Sequence, residues 1–209
     1  MSGLAGQSKI ELQGRGAPSV MFTNEWGVCA EFDLQASVNT VGGWLGPTPV
    51  TGLYNKPGFA DPTDNHYRVI IEGVSGAGII NESTSGCLFE GTSEANGTGV
   101  TEDADCFRNT YIDLDCEQNT VKDLDINGGN ATFINGNFQS PVTPNITTSA
   151  TTQNLTFVGG FVRSINLHVS SHATLFKGVS FSDNINLGIL GTGSRRQGPR
   201  NRGSDGGTY

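Results

Sequence analysis

The feature that most constrains this chain is a quasi-periodic series of short apolar segments, which begins near Val69. Each segment is closed by Gly, Asn or Asp, and the anchoring aromatic residues are separated by 18, 26, 24 and 19 residues. The anchors are Phe89, Phe107, Phe133, Phe157 and Phe176. Repeats of ~20–50 residues are typical of solenoids, and such a gap holds the two or three short strands of one parallel β-helix coil. The sequence therefore predicts stacked coils whose aromatic residues align inside.

The strand-like segments alternate between apolar and polar residues, which places the two kinds of side chain on opposite faces of a strand. In residues 111–117 the expected apolar face is Ile112, Leu114 and Cys116, and the expected acidic face is Asp113, Asp115 and Glu117. A β-sandwich built from hairpins gives the same alternation. Because Asn135-Gly136 is the one hairpin-type pair between convincing strands, the sequence favours an all-β, parallel β-helix solenoid over a sandwich.

Composition disfavours several other classes of protein. The 209 residues include 30 glycines, 15% are charged, and the formal net charge is −8. So much glycine disfavours a helical bundle, and the acidic balance disfavours a nucleic-acid partner. No window approaches the ~18 consecutive apolar residues of a transmembrane helix, so we expect no membrane partner. No motif points to a cofactor or a metal ion, and we predict neither.

The sequence predicts a body and a tail. Residues 1–188 are expected to form the β-helix-like domain, with a Pro-rich loop inserted at about 41–65. Residues 189–209 form a basic, Gly-rich arm, whose arginines are Arg195, Arg196, Arg200 and Arg202. The arm is interpreted either as a flexible, solvated end or as a segment that orders on an acidic partner surface.

An acidic cluster supplies the catalytic candidates, Asp113, Asp115 and Asp123. Hydrolysis of a glycosidic bond needs two carboxyl groups, which are about 6.5–9.5 Å apart in an inverting enzyme. Residues i and i+2 of an extended strand project from one face about 6.5–7 Å apart, so Asp113 and Asp115 could meet this spacing. The alternatives are a solvated outer face and a Ca²⁺ site, although the cluster lacks the loop pattern of a calcium hand.

Aromatic residues in and near the predicted loop are candidates for glycan binding: Trp26, Trp44, Tyr54 and Tyr67. Aromatic faces flanked by amides and carboxylates are typical of carbohydrate sites, and long loops often carry function. The alternative is that these rings plug one end of the solenoid or fill a subunit interface.

The cysteines Cys29, Cys87, Cys106 and Cys116 contain no C-x-x-C pair. Zinc sites need paired ligands at short spacing, and disulfide scaffolds are richer in cysteine. We therefore interpret these residues as small buried hydrophobic side chains.

Two passages resemble a known group of proteins. Residues 8–16, SKIELQGRG, followed by PSVMF, resemble an early coil of pectate-lyase-like phage β-helices. Residues 130–138, NATFINGNF, are similar to the coils of tailspikes and other trimeric virion appendages. The resemblance implies a right-handed parallel β-helix that forms a homotrimer, is located in a phage virion and contacts other virion proteins.

The resemblance also implies a function. Members of that group bind or cleave bacterial surface polysaccharides, and some only attach or reinforce. The first expectation is a tailspike or tail-fibre-like appendage that contacts host polysaccharide. One alternative is a capsid decoration protein, anchored to an acidic shell through Arg195 to Arg202. A second alternative is a polysaccharide depolymerase, a glycoside hydrolase or lyase, with Asp113, Asp115 and Asp123 in a groove.

Overall fold

The computed structural model is a parallel β-solenoid of about six turns, built from two stacked sheets. It describes residues 9–15, 22–24, 31–37, 51–55, 62–171, 173–183, 185–186 and 195–197. Every strand pairing among these residues is parallel, and each strand pairs with its equivalent one coil away. The predicted all-β parallel solenoid is confirmed, and its handedness and trimeric state stay predictions.

The first sheet contains β1 (Lys9–Arg15), β3 (Glu31–Ser37), β5 (His66–Glu72), β7 (Leu88–Glu94), β9 (Thr110–Cys116), β11 (Thr132–Ile134), β12 (Asn137–Phe138), β14 (Thr156–Val158), β15 (Phe161–Val162), β17 (Leu175–Lys177), β18 (Ser180–Phe181) and β20 (Arg195–Gln197). The second contains β2 (Phe22–Asn24), β4 (Leu53–Asn55), β6 (Ala77–Asn81), β8 (Thr98–Glu102), β10 (Lys122–Ile126), β13 (Ile146–Thr148), β16 (Ile165–Asn166) and β19 (Ile185–Asn186). Strand β4 falls within the predicted loop at 41–65, and β20 falls within the predicted arm and pairs with β17.

A continuous stack of aromatic rings fills the interior. It runs through Tyr67, Phe89, Tyr111, Phe133, Phe157 and Phe176, with consecutive ring centroids 4.8, 4.9, 4.8, 4.8 and 5.1 Å apart. Phe107, predicted as an anchor, is 44% exposed, and Tyr111 occupies the expected position instead. The expectation of an internal aromatic ladder is confirmed, but its spacing is 22 residues three times, then 24 and 19.

Two long columns of residues with left-handed backbone run along the described coils. The first column precedes every ladder aromatic by three residues, with φ between 50° and 67°. Its members are Asp64, Gly86, Arg108, Asn130, Asn154 and Ala173. The second column lies within the first sheet and comprises Gly91, Asp113, Asn135, Gly159 and Gly178, with φ between 51° and 114°. Glycine, Asn and Asp tolerate this conformation best, which explains the richness in these residues.

The left-handed residue Asp113 changes which side chains of β9 point inward. Two residues of β9 face one residue of β7 at this point, which is a β-bulge. Tyr111, Leu114 and Cys116 are consequently buried, and Ile112 is only half-buried on the outer face. The prediction that Ile112 shares the inner face with Leu114 is therefore wrong.

The core and the cysteines agree with the sequence interpretation. Cys87, Cys106 and Cys116 are buried and unpaired, as predicted, and Cys29 lies outside the described residues. Burial raises the pKa of the Cys87 and Cys106 thiols to about 12, so both are inert near neutral pH. The described part of the chain has no helix that is long and apolar enough to cross a membrane.

Candidate functional site

Register in the first sheet brings polar side chains from successive coils into straight columns on its outer face. Asp115 of β9 pairs with Asn137 of β12, which pairs with Phe161 of β15. These three side chains are half-buried, while their neighbours Cys116, Phe138 and Val162 point into the core. Adjacent strands are about 4.8 Å apart, so a carboxylate, an amide and an aromatic ring follow one another at that interval.

We call this surface the acid–amide face, and it consists of Glu72, Glu94, Asp115, Glu117, Asn137, Gln139 and Phe161. Asn137 lies at its centre. The Asn137 Nδ2 group donates hydrogen bonds to Asp115 Oδ1, at 3.0 Å, and to Glu117 Oε1, at 2.8 Å. Glu117 Oε1 also accepts a hydrogen bond from Gln139 Nε2. The amides hold the two carboxylates in fixed positions along the rod.

The electrostatics of this face favour proton retention. Burial raises the pKa of Glu94, and the charges of Glu72 and Asp115 raise it further. Burial and the Glu117 charge raise the pKa of Asp115, whereas the Asn137 hydrogen bond opposes them. None of the ion pairs formed by described residues involves Glu94, Asp115 or Glu117. The described residues also contain no group of three His, Cys, Asp or Glu side chains arranged to hold a metal ion.

The three predicted catalytic residues do not lie together in a groove. Asp113 is exposed and left-handed, with φ 51°, so the spacing derived for an extended strand does not apply to Asp113 and Asp115. Asp123 is 0% exposed, so its predicted place in an outer groove is wrong. Asp123 is buried because neutral donors surround it inside the solenoid, and only Asp115 joins the acid–amide face.

The contacts of Asp123 are those of a structural group. Its carboxylate accepts hydrogen bonds from Asn119 Nδ2 at 2.9 Å, from Asn145 Nδ2 at 2.7 Å, and from both the Ser140 backbone N–H, at 3.0 Å, and the Ser140 hydroxyl. Burial raises the pKa of Asp123 although these four bonds oppose the shift. These contacts tie two successive coils together, because Ser140 and Asn145 lie one coil after Asp123.

The predicted glycan-binding residues are not gathered into one site either. Tyr67 is 0% exposed and stacks on Phe89, so its prediction as a glycan contact is wrong; its ring is the first described member of the interior ladder. Tyr54 is half-buried on β4 of the second sheet, where a hydrogen bond with Glu82 raises its pKa to about 12. Trp26 and Trp44 lie outside the described residues.

The predicted anchoring arginines are described only in part. Arg195 and Arg196 belong to β20, where their backbone pairs with Leu175 and Phe176. Arg200 and Arg202 lie outside the described residues.

Sequence reasoning missed Asn137, Gln139 and Phe161. The signal for them is the repeat length: Asn137 follows Asp115 by 22 residues, Gln139 follows Glu117 by 22, and Phe161 follows Asn137 by 24. These intervals match those of the aromatic ladder at the same coils. Aligning the chain on Tyr67 and Tyr111, rather than on phenylalanines alone, would have placed Asn137 and Phe161 in the column of Asp115 and Gln139 in that of Glu117.

No protein-family model matches the chain, and the searches of curated proteins and of solved structures give no match. The fold assignment therefore rests on the parallel strand register and the ladder, and the function must be argued from the site.

Proposed function

We propose that this protein is a structural component of a phage virion, a tailspike or tail-fibre-like appendage that binds host surface polysaccharide along the acid–amide face. The observation that carries the proposal is the straight outer column of Asp115, Asn137 and Phe161 on three successive coils. Carboxylates and amides are the partners that sugar hydroxyls need, and an aromatic ring packs against the apolar face of a sugar.

The repetition of the coils suits a polymeric ligand. Equivalent side chains recur at about 4.8 Å along the rod, so a polysaccharide chain can make several weak contacts at once. Linked contacts raise affinity far beyond that of any one contact. A solenoid stabilised by interior ladders keeps these groups in fixed positions before the ligand arrives, which lowers the entropic cost of binding.

An enzymatic role is the second candidate, and one observation favours it. The raised pKa of Asp115 is a property of general acids, because such a group retains its proton closer to neutral pH. Its partner would have to be Glu117, since Asp123 is enclosed in the core. Binding without cleavage is nevertheless the primary proposal, because Asn137 already donates to both carboxylates.

The test is binding of the full chain to a panel of capsular and O-antigen polysaccharides, measured by biolayer interferometry. Glu117→Gln and Phe161→Ala are each expected to weaken binding about tenfold or more, which corresponds to ~1.4 kcal/mol. Asp125→Asn is the matched control, because it removes one charge from β10 on the second sheet and should leave affinity unchanged. Binding to no member of the panel, or equal affinity for all variants, contradicts the proposal.

Two further measurements separate the alternatives. New reducing ends released from a bound polysaccharide, and lost in Asp115→Asn, would establish cleavage in addition to binding. Gold-labelled antibody on intact particles should mark the tail. Label on the head would instead support the decoration role, in which the arginines of residues 195–202 contact an acidic shell.

A further inference from the structure

A polar cluster lies inside the otherwise apolar solenoid, and its centre is Glu102, the last residue of β8. The Glu102 side chain is 1% exposed. Its Oε1 atom accepts hydrogen bonds from the Tyr111 hydroxyl, at 2.6 Å, and from Asn109 Nδ2, at 2.8 Å. Asn109 Nδ2 is also 2.6 Å from Thr84 Oγ1 of the preceding coil. The carboxyl is therefore fixed between two neighbouring coils.

The cluster continues toward the N-terminus along the solenoid axis. Asn81 Nδ2 donates to the Tyr111 hydroxyl at 2.9 Å, and Asn55 Nδ2 donates to Asn81 Oδ1 at 2.8 Å. Strand register aligns Asn55 with Asn81, and Asn81 with Glu102. One hydrogen-bonded network thus joins three consecutive coils of the second sheet, and Glu102 is its only carboxyl group among the described residues.

The groups that face Glu102 carry no compensating positive charge. They are Tyr111 of β9, Cys106 of the segment between β8 and β9, and Cys87 of the segment before β7. Burial raises the pKa of Tyr111 well above its usual value and that of both thiols to about 12, so all three are neutral near pH 7. None of the ion pairs of the described residues includes Glu102.

Glu102 has fewer hydrogen-bond donors than the other enclosed carboxyl, Asp123, which also lacks a positive partner in the part of the chain that the structure describes. Four donors surround Asp123, and its neighbours Cys116 and Asp115 lie on β9. Glu102, which is 1% exposed against 0% for Asp123, has two donors. An ionised carboxylate in such a place is costly unless hydrogen bonds or a cation compensate its lost hydration. Of the two enclosed carboxyls, Glu102 therefore has fewer hydrogen bonds to compensate a negative charge.

We propose that Glu102 is a pH-dependent latch within the solenoid: the protonated carboxyl holds the three coils together, and its ionisation loosens them. The inference is independent of the proposed function.

The sign of the effect follows from the direction of the Glu102 pKa shift. Burial raises the pKa of Glu102 in the folded chain above the usual ~4.3 for glutamate. Such a group contributes stability that is fully present below the unfolded-state pKa and is lost as pH rises through the folded-state pKa. The solenoid is therefore most stable in mild acid, the opposite of a protein held by buried salt bridges.

The test compares thermal unfolding of the full chain and of Glu102→Gln at about pH 5 and about pH 8, in high salt. Glutamine keeps the acceptor oxygen and the neutral charge of the protonated acid. High salt screens the repulsion between the outer carboxylates but not the effect of burial, which is the main cause of the raised pKa values of Glu94 and Asp115. Glu94→Gln is the matched control on the acid–amide face.

The wild-type melting temperature should fall from about pH 5 to about pH 8, and that of Glu102→Gln should fall by less, because the raised pKa values of Asp123, Glu94 and Asp115 remain. At about pH 8 the variant should melt at least about 3 °C above the wild type, and at about pH 5 the two should coincide. The proposal is overturned if Glu102→Gln keeps the wild-type pH dependence, or if Glu94→Gln alone removes it in high salt.

Hydrogen exchange of the wild type keeps the proposal testable should Glu102→Gln fail to fold. After correction for intrinsic exchange rates, amides of residues 98–111 should lose protection at about pH 8, while those of residues 155–177 keep theirs. Equal protection of residues 98–111 at both pH values overturns the latch.

Discussion

The coils on either side of Phe133 reach the same architecture with different regularity. Before it, the ladder aromatics recur every 22 residues, and the strands of the first sheet, β5, β7 and β9, have seven residues each. From Phe133 onward, the intervals are 24 and 19, and the first-sheet strands of three coils each divide into two short ones: β11 and β12, β14 and β15, and β17 and β18. The aromatic stack and the left-handed columns nevertheless continue without a break. Each coil is thus defined by its ladder aromatic and its left-handed residues, whereas the length of its strands varies.

The difference begins at the second left-handed column. In β9 the left-handed residue Asp113 makes a bulge within a continuous strand. In the later coils Asn135 and Gly159 occupy the same column, each is followed by a glycine, and the strand ends there. The second glycine permits a close approach of backbones, because a Cβ on Gly160 would overlap the carbonyl oxygen of Gly136. A glycine after the left-handed residue thus accompanies the division of the strand in these two coils, although the strand also divides at Gly178, which Val179 follows.

The largest expected effect comes from breaking the ladder where the two regions meet. Phe133 is 1% exposed, and its ring stacks on both Tyr111 and Phe157 and contacts the edge of Phe138. Truncation leaves a cavity that rigid neighbours cannot fill, so Phe133→Ala should lower the free energy of unfolding by about 3–5 kcal/mol. Urea denaturation followed by circular dichroism measures the change.

Phe107→Ala is the control for this prediction, because it removes the same side chain from an exposed turn. Its ring is 44% exposed and lies under the Arg108 guanidinium, 5.1 Å from the ring centroid. Its loss should change stability by no more than about 0.5 kcal/mol. Equal effects of the two substitutions would show that the aromatic stack does not stabilise the coils that meet at Phe133.

An intermediate effect is expected from a substitution in the later corners. Gly160 has φ 73°, and its added Cβ would meet the Gly136 backbone, so Gly160→Ala combines left-handed strain with overpacking. We expect a loss of about 2–4 kcal/mol, measured by the same denaturation.

Gly178→Ala separates these two contributions to the Gly160 effect. Gly178 has φ 68°, but a Cβ there meets nothing within 4 Å. Strain alone should then cost about 1 kcal/mol. A Gly178 variant as unstable as the Gly160 variant would contradict the close approach of the two backbones.

The repeat and four of its five aromatic anchors are predictable from the sequence, and only Phe107 is wrong. The period, the parallel coils and the interior aromatics follow from spacing, because coil length is fixed by the strands that one turn can hold. Phe107 was mistaken for Tyr111 because spacing does not show that the Tyr111 hydroxyl has a partner, here Glu102, inside the core. Buried polar groups depend on partners from other coils, which only the register reveals.

The candidate site was harder to predict for a related reason. Simple alternation assigned Asp123 to the surface, although the amides of Asn119 and Asn145 enclose it. Alternation also assumed that β9 is extended throughout, whereas Asp113 interrupts it. Asp115 was placed correctly on the outside because the bulge moves only the residues that precede it. A pattern of alternating apolar and polar residues does not reveal a one-residue bulge. Such a bulge moves the neighbouring side chains to the opposite face of the strand.

The smallest effect distinguishes a structural from a catalytic Asp113. Glycine adopts the left-handed backbone of Asp113 without strain, which stabilises the folded chain. Glycine also has more freedom in the unfolded chain, which opposes this gain. Asp113→Gly should therefore change the free energy of unfolding by less than about 0.5 kcal/mol. Asp113→Val should cost about 1–2 kcal/mol, because a β-branched residue strongly resists this conformation. Thermal and urea unfolding give both values. If Asp113→Gly keeps wild-type stability and full polysaccharide binding, the residue serves the bulge that separates the regular coils from the divided ones. If the glycine variant is stable but does not bind polysaccharide, the Asp113 side chain takes part in binding. If the glycine variant alone is less stable than the wild type, the left-handed backbone does not explain the presence of Asp113.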